Sequence, residues 1–531
     1  MSDAILQAFQ QVVLAPEIWA VIIFSALYGV FVGSIPGLTA TMAVALFVPV
    51  TFWLGPVPAL AAIVTMVACA IFAGDIPTAL LRIPGTPASA AYAEDAYYYT
   101  RRGEPERALG VSLLGSVAGG LFGAVGLMLL GHQLAELATF FSVAEYFWLY
   151  LLGLTSAVIV SRGSLLKGLL GMLIGLLLST VGLSPVHTEA RFTFGQPELF
   201  QGINFIPAMI GLFGLSEVLR NLVDLSGRGS ARETSATESS AAETGGAVEA
   251  VADTAAEVAT LAQRYLVRPV ASVFSTAWQL LSTRLTHSLR SGVIGALVGM
   301  LPGAGADIAA WVSMGASKRF SDTPEAYGTN SLEGVSDAAT ANSSALASTW
   351  IPALVFGIPG DSITAIVIGV LLMKNLNPGP AIFEEQTVLV YSIYLAFIVA
   401  NLVLLAVGLL AIKVGRYVVR VPRRILLPII VLFCIVGSYA LQTSYFDVGV
   451  MLGTGVLAFW LERREVPMGP VVLGLILGAP LEARLIQTLT AADGSLLAFF
   501  NRPIAGLLGA ACILVWISTV ALNLRSKQPD D

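Results

Sequence analysis

The sequence predicts an all-α polytopic membrane protein with about 10–14 membrane segments. Its 531 residues are 56% hydrophobic and 12% charged, whereas roughly a quarter of the residues in soluble domains are charged. The period-2 alternation of a membrane β-barrel is absent. Apolar stretches without a charged residue recur, most of them near the ~17–25 residues that a spanning helix needs; they cover residues 18–36, 56–73, 109–131, 146–161, 168–184, 387–412, 425–446, 448–461 and 503–524.

Two short motifs occur twice and predict an internal repeat. Gly-Ser-Ile-Pro-Gly at residues 33–37 resembles Gly-Met-Leu-Pro-Gly at 299–303, and Ile-Pro-Gly at 83–85 recurs at 358–360. Inside a bilayer, broken backbone is tolerated only where protein or a water-filled cavity satisfies the freed N–H and C=O groups. Paired Gly/Pro interruptions in two halves therefore indicate the central binding site of a transporter. The alternative is that each motif only permits a kink or a loop.

A change in composition divides the chain into three parts. Residues 1–226 form a first transmembrane repeat, and residues 289–531 form a second repeat with a short tail. Between them, residues 227–260 are acidic and rich in Ala, Ser, Thr and Gly, which is typical of a linker that cannot bury a core. Residues 261–288 mix Trp and leucines with arginines, which suits a helix lying at the membrane interface. A plain continuation of the linker is the alternative.

Basic residues flanking the spans predict opposite orientations for the two halves, because cytoplasmic loops are rich in Lys and Arg. The residues that place loops in the cytoplasm are Arg101, Arg102, Arg107, Lys413, Arg416, Arg420, Arg423, Arg424, Arg463 and Arg464. Counting spans from these residues, the span after the first Ile-Pro-Gly runs outward and its counterpart at 387–412 runs inward. The prediction is two inverted repeats whose Pro-Gly-broken, re-entrant helices meet near the membrane midplane, with the linker in the cytoplasm.

The breaks supply the candidate substrate-binding residues. Unwound backbone offers carbonyl groups to a cation, and the N-terminus of a half-helix offers N–H groups and a positive dipole end to an anion. The candidates are Pro36, Gly37, Thr39, Thr41, Arg82, Pro84, Gly85, Thr86, Pro302, Gly303, Gly305, Asn342 and Gly360. For Asn342, which lies in a run of small polar residues, an ordinary surface loop is the alternative.

Charged residues close to the breaks suggest substrate recognition and ion coupling. Arg82 suits bidentate recognition of a carboxylate, although an ion pair with Asp75 would explain it equally well. Asp307 is an expensive charge in an apolar setting, so we expect a cation ligand or a protonatable group there. The other candidates for the coupling ion, Na⁺ or H⁺, are Asp361, Thr41 and Ser313; Asp361 could instead cap the following helix.

The usual sequence signatures of soluble enzymes are missing. The chain contains no Gly-x4-Gly-Lys-Ser/Thr loop, no His-Glu-x-x-His and no Gly-x-Ser-x-Gly elbow. Cys69, Cys434 and Cys512 lie in apolar segments at no metal-like spacing. We therefore expect no enzyme activity, no cofactor, no metal other than Na⁺ at the breaks and no nucleic-acid partner.

These motifs resemble the large membrane subunit, the TctA type, of the tripartite tricarboxylate transporters. The resembling segments cover almost the whole chain except the linker and lie at residues 33–41, 83–87, 167–168, 191–195, 302–307, 333–334, 357–360 and 377–380. The resemblance implies a secondary carboxylate transporter in the bacterial inner membrane, driven by a Na⁺ or H⁺ gradient. It also implies a small four-helix membrane subunit (TctB type) and a periplasmic solute-binding protein (TctC type) as partners, besides membrane lipid and an organic carboxylate substrate.

Three departures from the family pattern leave the particular carboxylate open. Arg82 stands where the family usually has Asn, residues 337–343 differ from the usual Asn-rich run, and the acidic linker is an insertion. A stand-alone secondary carrier or a channel-like permease for organic anions is the alternative function. An intramembrane enzyme or an assembly scaffold is a third class, for which no nucleophile–base pair is evident.

Overall fold

The computed structural model describes residues 2–161, 164–184, 189–223, 270–418 and 423–525. The described chain is helical apart from its loops and one small ribbon, in which β1 (Gly182–Leu183) pairs antiparallel with β2 (Ala190–Arg191). The predicted linker, residues 227–260, lies outside the described residues. The predicted interfacial segment is described only from Val270 onward, where it is helical.

The first half contains ten helices among the described residues. They are α1 (Ser2–Phe9), α2 (Pro16–Gly33), α3 (Ala40–Trp53), α4 (Pro56–Ala73), α5 (Asp75–Leu81), α6 (Ala93–Arg101), α7 (Pro105–Ala138), α8 (Val143–Val160), α9 (Leu165–Ser179) and α10 (Phe205–Val223). Several begin with proline, whose missing N–H costs nothing in a first helical turn. A short 3₁₀ turn, Ser89–Tyr92, precedes α6.

The second half contains twelve helices among the described residues. They are α11 (Val270–Thr283), α12 (Leu285–Gly299), α13 (Gly305–Phe320), α14 (Leu332–Ser348), α15 (Trp350–Phe356), α16 (Ser362–Met373), α17 (Ala381–Glu385), α18 (Thr387–Val418), α19 (Arg423–Gln442), α20 (Tyr445–Arg463), α21 (Met468–Ala491) and α22 (Pro503–Arg525). Eight helical stretches of the described chain are long and apolar enough to cross a membrane, and five shorter apolar helices accompany them. The predicted all-α polytopic class is confirmed.

The first pair of Pro-Gly motifs separates two helices in each half. In the first half, α2 ends at Gly33, Gly37 adopts φ +91°, and α3 begins after Thr39. In the second half, Gly303 in the loop between α12 and α13 adopts φ +79°, and Gly305, the first residue of α13, adopts φ +69°. Positive φ is rarely adopted by residues with a Cβ, so glycine is what allows these sharp breaks.

The second pair of motifs ends a helix and turns the chain back. Arg82, the C-cap of α5, adopts the left-handed conformation with φ +58°, and Gly357, the C-cap of α15, does the same with φ +68°. The chain then doubles back onto its own helix. A Cβ on Gly85 would lie 2.4 Å from the Gly74 carbonyl oxygen, and a Cβ on Gly360 would lie 2.8 Å from the Thr349 side chain.

Glycines let the central helices approach backbone to backbone, and the paired positions give the helix directions. In four helix pairs the contacting positions increase together along both helices, so these helices run in the same direction. The pairs are Gly29–Met66 and Gly33–Ala70 (α2 and α4), Gly295–Ala341 and Gly299–Ala345 (α12 and α14), Gly115–Ser336 and Gly123–Ser344 (α7 and α14), and Gly408–Phe72 and Gly415–Ile76 (α18 with α4 and α5, which together form one helical stretch). The pairs Gly120–Asn401 and Gly131–Tyr394 show that α7 and α18 run oppositely. Consequently α4 and α14, which hold corresponding positions around the motifs, run in opposite directions.

The contact between α7 and α14 yields a stability prediction. A Cβ on Gly119 would lie 2.0 Å from the Thr340 carbonyl oxygen, whereas a Cβ on Gly126, two turns further along α7, would meet nothing within 4 Å. We expect Gly119→Ala to destabilise the purified protein by about 1–3 kcal/mol, because α14 must move away. Thermal unfolding in detergent should show a lower Tm for this variant only. An equal Tm for Gly119→Ala and the control Gly126→Ala would contradict the packing.

Candidate functional site

The breaks of both halves converge on one cavity of about 280 Å³. This volume lies near the lower end of the ~300–1,000 Å³ that is typical of small-molecule sites. Its walls contain eight of the residues predicted from the sequence: Thr39, Thr41, Gly85, Thr86, Gly305, Asp307, Asn342 and Asp361. The structure thus brings together residues that are up to 322 positions apart in the chain.

Two other cavities of the described chain lack comparable chemistry. They have volumes of about 250 and 340 Å³, and both are lined by Phe205 together with Gly369 and Leu372 of α16. Neither is lined by a charged side chain. The cavity at the breaks is therefore the better candidate for an ionic ligand.

Two of the helices that start at the cavity are capped by predicted residues. The Thr39 hydroxyl accepts a hydrogen bond from the Met42 N–H at 3.1 Å at the start of α3. The Asp361 carboxylate accepts one from the Thr364 N–H at 2.7 Å at the start of α16, within a capping box. The alternative role of Asp361 as an N-cap is confirmed. These contacts satisfy N–H groups that a broken helix would leave without a partner.

Asp307 connects the two halves of the chain. Its Oδ1 accepts a hydrogen bond from the Ala88 N–H at 3.0 Å, in the loop that follows the first Ile-Pro-Gly motif. One helical turn further along α13, Trp311 Nε1 donates to the Pro87 carbonyl oxygen at 3.0 Å. The start of α13 is therefore held against the return loop of the other half by two hydrogen bonds.

A hydroxyl network gives the return loop its shape. Thr78 of α5 donates to the Ser89 hydroxyl at 2.8 Å and accepts from the Gly85 N–H at 3.1 Å. Ser89 also accepts from the Thr86 N–H at 3.1 Å, and its own N–H donates to the Thr86 hydroxyl at 3.1 Å. These bonds replace the helical ladder where the backbone is irregular, as a membrane interior requires.

Asn342 of α14 supplies a buried acceptor at the cavity wall. The residue is 4% exposed, and its Oδ1 has no hydrogen-bond partner among the described residues. A buried polar atom without a partner is costly unless a ligand, ion or water satisfies it. With Asp307 and Asp361 in the same cavity, it offers the oxygen ligands that alkali and alkaline-earth cations prefer.

The position of Arg82 differs from the expectation that it faces the substrate. Its Nε donates to Glu94 Oε1 at 2.7 Å, its side chain is 58% exposed, and it does not line the cavity. The alternative, an ion pair with Asp75, is wrong. Asp75 is buried and accepts hydrogen bonds from the hydroxyls of Tyr92 and Ser112. The physical reason is the left-handed cap at Arg82, which turns its side chain away from the break.

The remaining predicted residues do not line the cavity. Ser313, expected at the ion site, is buried and donates to the Asp337 carbonyl oxygen at 3.0 Å. Gly303 packs against α8, since a Cβ there would lie 2.6 Å from the Ala157 Cα. The residues with such backbone-shaping positions are Pro36, Gly37, Pro84, Pro302, Gly303 and Gly360.

A charged group at one end of the cavity was not among the residues predicted from the sequence. Ser216, Glu217 and Arg220 of α10 and Glu462 of α20 also line it. A Glu and an Arg three residues apart within an apolar helix were the available signal, but their place beside the linker was typical of an ordinary helix end. With them, the described lining holds four carboxylates, those of Glu217, Asp307, Asp361 and Glu462, against a single cation.

The comparison with known families agrees with this geometry. Residues 19–473 match the tripartite tricarboxylate transporter TctA family. The chain belongs to this family. The match covers both pairs of breaks and both groups of helices around the cavity, which makes the protein a multi-pass membrane component of a transporter.

Two relatives from Agrobacterium vitis are similar to the chain and are themselves uncharacterised. An "uncharacterized 52.8 kDa protein in TAR-I ttuC′ 3′region" is 32% identical over 506 residues, which cover 94% of this chain and 93% of the relative. An "uncharacterized protein in TAR-II ttuC′ 3′region" is 32% identical over 235 residues, covering 44% of this chain and 97% of the relative. No solved structure matches the chain.

The left-handed cap at Arg82 gives the second prediction. Asn tolerates φ near +58° better than Arg does, and a β-branched residue tolerates it least. We expect Arg82→Asn to keep transport and stability, whereas Arg82→Val should lower the free energy of unfolding by about 1–2 kcal/mol. Uptake by cells and thermal unfolding of the purified variants check both. Loss of substrate affinity in a stably folded Arg82→Asn protein would show that Arg82 contacts the substrate after all.

Proposed function

We propose that the chain is the large membrane subunit of a secondary active transporter that imports organic carboxylates across the bacterial inner membrane. Family membership supports a transporter component, and the cavity lined by Thr39, Asp307 and Asp361 supports a site for ionic ligands. The partners would be a small four-helix membrane subunit and a periplasmic solute-binding protein that delivers the substrate. The acidic linker would lie in the cytoplasm.

The helix directions support a pair of inverted repeats. Residues 75–85 and 350–360 share one sequence pattern at an offset of 275. Their backbones also follow the same path: a short helix ends in a left-handed cap, and the chain then turns back to Gly85 or Gly360. The helices that precede them, α4 and α14, run oppositely. Inverted repeats with broken helices at the site suit alternating access, because exchanging the conformations of the halves exposes the site on the other side.

Substrate recognition would use the start of the broken helices. α3, α13 and α16 begin at the cavity. Helix N-termini favour negative charge through their N–H groups and dipoles. Hydroxyls of Thr41 and Thr86 at the same wall can donate to a carboxylate. An organic anion of small size fits this set of donors.

Charge balance favours cation coupling. Two carboxylates, Asp307 and Asp361, line the cavity beside the breaks, so an anionic substrate needs a compensating positive charge to bind there. Na⁺ coordinated by these carboxylates, the Asn342 amide oxygen and the Thr41 hydroxyl would supply it. Protonation of a carboxylate is the other route. In either case the anion and the cation would enter together, which is symport.

Asp307→Asn tests the coupling role most cleanly. Asn keeps an oxygen that can accept from the Ala88 N–H, so the contact between the halves survives while one charge is lost. We expect the Na⁺ or H⁺ concentration that half-saturates uptake to rise about ten- to hundredfold, which corresponds to ~1.5–3 kcal/mol for a charged contact. The measurement is uptake of labelled citrate and succinate by cells that also express the proposed binding protein and small membrane subunit.

Asp493→Asn is the matched control, because Asp493 is exposed and lies away from the cavity. Unchanged ion dependence in Asp307→Asn would place the coupling site elsewhere. Uptake that needs neither a binding protein nor an ion gradient would favour a channel-like permease.

A further inference from the structure

One cation lies among the described residues that line the cavity, and it is Arg220. It sits near the end of α10, and 49% of its side chain is exposed. Glu217 lies one turn earlier on the same helix, and Glu462 faces the same end of the cavity from α20. The residues at this end of the cavity are far from the Pro-Gly breaks in the sequence, and none of them belongs to the duplicated motifs.

The guanidinium group is held in place on one side and open on the other. Its Nη2 donates to Glu217 Oε1 at 2.7 Å, and Asn221 Nδ2 donates to the same carboxylate oxygen at 2.8 Å. Arg220 Nε and Nη1 form no hydrogen bond with any described residue. Glu217 therefore fixes the orientation of Arg220, while other N–H groups remain able to donate to a ligand.

Tight packing keeps this group at a fixed place beside the cavity. α10 and α20 touch through Gly211, where a Cβ would lie 2.2 Å from the Thr454 hydroxyl and 2.3 Å from the Met451 carbonyl oxygen. The Thr454 hydroxyl also lies 3.3 Å from the Ala208 carbonyl oxygen. Arg220 and Glu462 follow this contact by nine and eight residues, so both side chains project from a rigid helix pair.

Two buried oxygens at the cavity are free to accept a hydrogen bond from a hydroxyl group of a ligand or to contact a cation. Asn342 Oδ1 is buried at its wall, and Glu462 Oε2 is buried near Arg220; neither has a hydrogen-bond partner among the described residues. Arginine is the side chain best suited to grip a carboxylate, because it presents several N–H donors in one plane. The acidic residues around it would repel a carboxylate from every other position at this end.

We infer that Arg220 is the carboxylate anchor of the cavity, and that Glu217 is its positioning residue. A carboxylate of the substrate accepts hydrogen bonds from Nε or Nη1, while Glu217 keeps Nη2. The rest of the substrate extends toward the helix starts at the breaks. This inference rests on the proposed function, which it deepens by giving the recognition role to Arg220 in place of Arg82.

The test uses the full chain in lipid nanodiscs with a reporter cysteine, Ser362→Cys, at the cavity wall. The native thiols of Cys69, Cys434 and Cys512 are buried, and the protein without the reporter gives the background. The rate of modification is measured with an anionic and a cationic methanethiosulfonate reagent. It is measured again with citrate, with succinate and with mannitol as a neutral probe.

We expect Arg220→Gln to lower the ratio of anionic to cationic labelling about three- to tenfold, since one positive charge is lost near the reporter. The citrate or succinate concentration that halves labelling should rise about ten- to hundredfold. Arg220→Lys should keep the charge ratio but recover only part of the protection. Arg82→Gln is the control, because it removes a positive charge outside the cavity. It should leave the labelling ratio and the protection by the acids as they are in the protein that carries only the reporter cysteine.

An unchanged charge ratio and unchanged protection in Arg220→Gln would overturn the anchor and leave the proposed function standing. Loss of protection in Arg82→Gln with retention in Arg220→Gln would likewise overturn it. If neither acid slows labelling of the parent protein, the proposed function fails and the anchor fails with it.

Discussion

The structure depends on hydrogen bonds to the backbone N–H and C=O groups that are left without a helical partner where a membrane helix is interrupted. Every broken helix leaves N–H and C=O groups that lipid cannot satisfy. Here the side chains at the breaks provide the partners, as when Thr39 and Asp361 cap the helices that follow them. Asp307 goes further, because its carboxylate accepts the N–H of Ala88 from the opposite half of the chain. The same contacts hold the breaks together and create the cavity between them.

This arrangement has an electrostatic consequence. Capping with Asp places negative charge where the helix dipoles are positive, which stabilises each helix start. It also gives the cavity more carboxylates than cations. An organic anion can enter such a site only with positive charge, and Arg220 together with a coupling ion would provide it. Structural capping and symport would then use the same residues.

Much of this site could be predicted from the sequence, because Pro and Gly residues mark the places where a helix is interrupted. The duplicated motifs gave the positions of Thr39, Asp307 and Asp361, which the structure brings to one cavity. Arg82 was misplaced because its left-handed φ cannot be read from an apolar sequence context. Arg220 was missed because its approach to the cavity depends on how α10 packs against α20, a contact between residues more than 200 positions apart.

The central claim is that the convergence of the breaks is where the substrate binds. The most direct measurement is an experimental density map of the complete transporter with bound citrate or succinate. We predict density for the acid between Asp307, Asp361 and Arg220. Density confined to the surface beside Arg82, or to the uncharged cavities around Phe205, would contradict it.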